Sequence, residues 1–197
     1  MFAQNTNNPS AQQSKVEAHQ TACEGVNTAT FYAQPYNLDA RGFYFGSMAE
    51  YNAKTEGLTD RYGSPVEEFE LQFIDGSSED AQLFSACSVN QCNLEQFFTL
   101  VDEFDDREKA ALFYLADING QSMEDAVSNL DDVNLFEGHL KEAAEELFDE
   151  CYAHEIPENL RCYIDYEAFA RDCELGGDMY EFEFAGKTYT CTNAACV

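Results

Sequence analysis

The groups in this sequence able to do chemistry are overwhelmingly carboxylates. In HLKEAAEELFDE, residues 139–150, Glu142, Glu145, Glu146, Asp149 and Glu150 recur at intervals of three and four. On a helix that spacing puts them on one side. Such groups can exchange protons, hold cations or simply present negative charge. The carbonyl end of a helix favours Lys, Arg or His, yet the last turn here carries Asp149 and Glu150. Further acids precede it: Asp102, Glu103, Asp105, Asp106 and Glu108, then Asp131 and Asp132. From Glu95 to Glu150 there are 17 acidic and 3 basic residues, a local net of −14.

Catalytic templates do not account for them. The chain has no Gly-rich phosphate loop, H-E-x-x-H or G-x-S-x-G. Asp117-Ile118-Asn119-Gly120 resembles the start of a calcium loop but lacks the later ligands and closing Glu. Carboxylate pairs are so numerous that no single pair signals acid–base work. Eight cysteines stand at 23, 87, 92, 151, 162, 173, 191 and 196. In a reducing compartment they are expected as free thiols, several of them buried. Cys87 with Cys92 and Cys191 with Cys196 have a spacing at the loose edge of zinc patterns, and no paired His follows. His19, His139 and His154 are scattered and read as surface residues. No metal, cofactor or catalytic residue is expected.

Across 197 residues, 38 Asp and Glu face 10 Lys and Arg, a net charge of −28. Small soluble domains usually carry a magnitude of about 2–8, and excess charge destabilises a compact fold by self-repulsion. The balance argues against binding nucleic acid, which needs a basic footprint, and against an anionic membrane surface. It favours a basic partner or cations. No apolar run approaches a membrane span, and MFAQNTNNPSAQQSK has no hydrophobic signal core, so a cytoplasmic location is expected. The chain is 45% hydrophobic with 16 Phe and 11 Tyr, enough for a packed core.

The elements that would position these acids follow from patterning. Residues 1–29 read as a flexible polar tail, with a short helix possible over 15–22 on contact with another surface. Residues 30–76 read as a ββαβ unit: TFYAQPY and RGFYFG as strands around a turn at Asn37 to Ala40, a helix from cap Ser47 to stop Gly63, then a strand from Val66 through Phe73. Residues 77–132 read as helical. Asn93 with Gln96, and Asp105 with Glu108, have capping-box spacing, Gly120 stops a helix and Ser122 caps the next. Residues 133–193 read as an α+β unit: a short strand at Val133 to Phe136, the opening helix with Leu140, Ala143, Ala144, Leu147, Phe148 and Cys151 facing inward, Pro157 in a first helical turn, a helix capped by Asp165, and a hairpin turning at Gly186-Lys187. The expected class is α+β, an elongated chain of three small domains, the last one dimerising.

Duplex DNA carries a charge per ~1.7 Å of axis, so 28 net charges match roughly 48 Å of duplex. Carboxylate rows could therefore present to a DNA-binding groove what phosphates present. On charge alone, an ordinary solvated acidic surface or a salt-adapted one explains the composition at least as well. Against these, like charges at i, i+4 weaken a helix, and the large apolar residues have not been trimmed.

The segments TFYAQPYNLDARGFYFGSMAEYNAK, VEEFELQFIDG and EIPENLRCYIDYEAFARD, in that order, resemble the ArdA family of antirestriction proteins. The resemblance runs from about Thr30 to about Thr192, and Ile156 to Asp172 is its most specific part. It implies an acidic, three-domain homodimer shaped like bent B-form DNA. Such a protein occupies the DNA-binding groove of a type I restriction–modification enzyme, formed by its specificity and methyltransferase subunits. It blocks restriction, and methylation in many cases, inside a bacterial host entered by a mobile genetic element. By position, Leu135 through Asp172 matches the segment tied to activity and dimer contact. The resemblance makes the acids named in the first paragraph phosphate substitutes. Tyr163, Ile164, Tyr166 and Phe169 are expected to pack, and Arg161 and Arg171 to form local ion pairs. The polar tail is longer than the family needs. Two other readings stay open: a decoy for a different nucleic-acid-binding defence protein, such as a CRISPR effector, and an acidic cation-binding protein.

Overall fold

The computed structural model describes residues 29–197. The tail, with His19, Cys23 and the short helix considered at 15–22, lies outside the described residues. Strands β1 (Thr30–Pro35), β2 (Phe43–Phe45) and β3 (Phe69–Asp75) form an antiparallel sheet in the order β2-β1-β3. Alternation buries Phe31, Ala33, Phe45, Phe69 and Leu71. Phe31 meets Phe73 edge-on at 5.3 Å and Phe98 at 5.2 Å, tying the sheet to the helices behind it.

Helix α1 (Met48–Thr55) starts at Ser47, whose side chain accepts from Glu50 N. It ends well before Gly63, because Gly57, at φ 72°, supplies the left-handed turn first. Gly63 belongs to the next turn, where Asp60 Oδ1 accepts from Tyr62 N at 2.8 Å and Ser64 N at 2.9 Å. Val66 is buried but precedes the strand, its N–H spent on Leu58 O. β3 therefore begins at Phe69, whose N–H goes to Gln91 Oε1.

Next come α2 (Ser78–Ala86), α3 (Leu94–Glu103), α4 (Asp106–Phe113), a π-helical turn (Tyr114–Ile118), α5 (Met123–Ser128) and a 3-10 turn (Leu130–Asp132). The capping box of Asp105 with Glu108 forms, and Gly120, at φ 67°, follows the π-helical turn. The box of Asn93 with Gln96 does not form. Asn93 Oδ1 accepts from Asn90 N instead, and its Nδ2 reaches Cys87 O.

A second antiparallel sheet, in the order β4-β6-β5, joins β4 (Leu135–Glu137) to the hairpin of β5 (Tyr180–Phe184) and β6 (Lys187–Cys191). Phe184 pairs with Lys187, so the turn residues are Ala185 and Gly186, both at positive φ, one position earlier than the spacing of Gly186-Lys187 indicated. Between β4 and β5 lie α6 (Leu140–Cys151), 3-10 turns over Ala153–Glu155 and Glu158–Tyr163, and α7 (Tyr166–Gly176), capped by Asp165. Pro157 precedes the second 3-10 turn rather than opening an α-helix. The class is α+β.

One cluster of buried residues runs from Phe31 through the central helices to Cys191. A separate small one, Ala144, Ala170, Cys173 and Met179, joins α6 to α7. Tyr163 is 81% exposed and does not pack, whereas Tyr166 and Phe169 meet Phe148 edge-on. Cys151 is likewise exposed, at the frayed end of its stripe. Cys87, Cys173 and Cys191 are buried thiols, and burial pushes the Cys87 thiol up to about 11. No helix among the described residues is long and apolar enough to cross a membrane.

Candidate functional site

Helix α6 sorts its residues by face. Ala143 and Ala144 are buried and Leu147 and Phe148 half-buried, while Glu142, Glu145, Glu146, Asp149 and Glu150 are exposed. At 100° per residue the five acids fill an arc of about 140°, and Glu142 to Glu150 spans about 12 Å along the axis. No basic residue sits in the last turn. The one nearby cation of α6, Lys141, turns away to Glu167 of α7 at 2.8 Å, and that hydrogen bond raises its pKa.

The five are not equivalent. Glu142 Oε2 accepts from His139 N at 3.3 Å, closing the helix start. Asp149 Oδ1 accepts from the Tyr166 hydroxyl at 2.8 Å, which raises the pKa of that phenol. Glu145, Glu146 and Glu150 make no hydrogen bond or ion pair among the described residues. Their charge points outward, although Glu145 also attracts Lys141 at a distance.

The same division holds around α4. Asp105 Oδ1 accepts from Arg107 N and Glu108 N at 2.9 Å each, and Glu108 Oε2 from Asp105 N at 2.9 Å. Asp106 receives Lys187 Nζ of β6 at 3.0 Å, a contact that raises the pKa of Lys187. Asp131 and Asp132, in the 3-10 turn before β4, are exposed, and their carboxylates make no ion pair among the described residues.

Strand β4 is where these acids converge. Leu135 lines three adjoining depressions. One is bordered by Asp105, Asp106 and Glu137, a second by Glu108 and Asp131, and a third by Glu146 and Glu150. Arg107 braces the junction, its Nη2 donating to Leu135 O at 2.7 Å. Glu137 therefore belongs with the candidate acids. The sequence hid it because a lone Glu on a three-residue strand has no periodicity to mark it. Asp102 and Glu103 are exposed at the end of α3, and Asp102 borders a separate depression beside Phe98 and Val101.

Two expectations about cations fail. Arg161 donates to the carbonyls of Ala153, at 2.7 Å, and Ile156 rather than to a carboxylate. Ala153 O also accepts from Ile156 N at 3.2 Å, so Arg161 adds a second donor there while it ties down Ile156 O in the irregular chain between α6 and α7. Arg171, exposed on α7, has no ion pair among the described residues.

Among the described residues, no group of three or more His, Cys, Asp or Glu is placed to hold a metal ion. What the arrangement offers is exposed carboxylate at close spacing, largely unneutralised, on rigid elements. A search of curated proteins found no match. The family model described as antirestriction protein (ArdA) matches residues 10–185. That match starts upstream of Thr30, so most of the polar tail falls within the family's extent, and it stops short of Thr192. With most of its length matched, the chain belongs to the ArdA family of antirestriction proteins.

Proposed function

We propose that this antirestriction protein works as a decoy of B-form DNA, filling the DNA-binding groove that the specificity and methyltransferase subunits of a type I restriction–modification enzyme form. The observation that carries the reading is the acidic face of α6 and its continuation around β4. About 12 Å of duplex displays roughly seven phosphate charges, and α6 displays five carboxylates over the same rise. Three of these make no hydrogen bond or ion pair among the described residues, so their charge is available to an incoming basic surface. The protein needs no chemistry of its own in this role. Electrostatic complementarity speeds encounter and makes the complex salt-sensitive.

The action takes place in the bacterial cytoplasm, where the enzyme meets incoming DNA. The protein acts as a homodimer through residues 133–193, in line with a division into units over 30–76, 77–132 and 133–193. Exposed Tyr152, Leu160, Tyr163 and Leu175 flank the α6–α7 pair and supply apolar contact area for a second copy. The test is competition between this protein and labelled duplex for a purified type I methyltransferase core. Displacement that weakens as salt rises supports the decoy. Failure to displace duplex even at low salt removes it.

A further inference from the structure

Charge does not explain the depression beside α4. Between α4, α5, the 3-10 turn and β4 lies a groove of about 430 Å³ floored by Ala111, Val133 and Leu135 and walled by Phe104, Val127 and Leu130. The floor is buried core, while the walls are only partly buried, packed on the core from one side and open on the other. Its lip carries Glu108 and Asp131, with Asp132 adjacent. The one cation at the lip, Arg107, is committed to Leu135 O and shares its helix turn with Asp105, Asp106 and Glu108. The lip is therefore strongly negative around an apolar hole.

That combination selects its occupant. An acidic rim repels an acidic partner and attracts Lys and Arg, and an apolar floor gains only when an apolar side chain displaces water from it. Proteins that bend DNA carry such a unit: Phe, Leu, Ile, Met or Pro wedged between base steps, with Arg and Lys on the flanking phosphates. Resting on the decoy reading above, we infer that this groove receives an apolar side chain projecting from the basic DNA-contacting surface of the target enzyme. The acids then stand for phosphates, and the groove for the gap between bases into which the wedge is driven. A decoy with carboxylates alone would meet such a side chain with a solid wall.

Two measurements on the full chain test this. In the first, Val127→Trp fills the groove without altering charge, and binding to the methyltransferase core is titrated at two salt concentrations. A buried anchor of this kind contributes enough that affinity should fall about tenfold or more, with an unchanged salt dependence. Asp131→Asn with Asp132→Asn should lower affinity with a flatter salt dependence. Leu130→Ala, which removes one wall, should weaken binding in the same salt-independent way and stands in if the Trp variant does not fold. Wild-type affinity in both groove variants overturns the inference and leaves the decoy intact. So does a groove variant that binds less only because it no longer dimerises, seen by light scattering, since the occupant would then be a second copy. In the second, amide resonances are followed with the peptide Arg-Lys-Phe-Lys-Arg and its Ala counterpart. Shifts at Val127, Leu130 and Val133 with the Phe peptide alone support the groove, even if the enzyme were not the target. Equal shifts with both peptides overturn it.

Discussion

The sharpest perturbation is to neutralise the three α6 acids that make no hydrogen bond or ion pair among the described residues, by Glu145→Gln with Glu146→Gln and Glu150→Gln. Each like-charge pair at i, i+3 or i, i+4 costs a helix about 0.2–0.5 kcal/mol. Pairs 142/145, 142/146, 145/149, 146/149 and 146/150 each lose a charge in this variant. Removing Glu150 also relieves a negative group at the negative helix end. One contribution opposes these: Lys141 is attracted to Glu145, although its hydrogen bond goes to Glu167. The balance is a gain of roughly 1–2 kcal/mol at low salt. For a chain of this size that raises the melting temperature by roughly 2–8 °C. Affinity for the methyltransferase core should fall at the same time, and the slope of log affinity against log salt should shrink by about 2–3. Differential scanning calorimetry and the competition titration read the two effects. A variant that is less stable would make these acids structural. A variant as tight and as salt-sensitive as wild type would take α6 off the binding face.

Three further outcomes are expected. Asp105→Ala removes the side-chain arm of the α4 capping box, leaves Glu108 on the backbone N–H of residue 105, and should cost about 1 kcal/mol, lowering the calorimetric midpoint and speeding amide exchange at Arg107 and Glu108. Tyr166 titrates above the ordinary tyrosine range, chiefly because its hydroxyl is given to Asp149. With the folded pKa raised, the contact stabilises fully below the unfolded tyrosine pKa of about 10 and is lost as pH rises through the folded value. Absorbance at alkaline pH follows the phenol, and Asp149→Ala should bring its midpoint down. Gly42→Ala sets a Cβ against the Tyr32 ring and, at 2.5 Å, against Ala33 O, a backbone atom that cannot step aside. Such overpacking should cost about 1–3 kcal/mol, read from chemical denaturation.

Local elements were legible where the signal is local. Ser47, Asp105, Ser122 and Asp165 cap the helices their spacing promised, because each cap is satisfied by backbone N–H groups two or three residues on. Asn93 had the same spacing and failed, since Asn90 N and Cys87 O, brought near by the loop before α3, captured its amide. Gly63 read as the stop of α1, but Gly57, the first glycine able to turn left-handed, ended it earlier. Tyr163 reads as apolar in any sequence pattern, yet a 3-10 turn rotates it into solvent.

The sequence by itself determined the charge, the opposed faces of α6, the capping that sets where α4 begins, and the family. These depend on composition and on neighbours within one or two turns. Only the tertiary structure decided which acids are spent internally and which stay free. It also brought α4, the 3-10 turn and α6 around β4, drew Glu137 into that group, and left an apolar groove among the acids. Those outcomes depend on contacts such as Asp106 with Lys187, or Arg107 with Leu135, between residues far apart in the chain. No periodicity records such contacts, because they exist only once the sheets have closed.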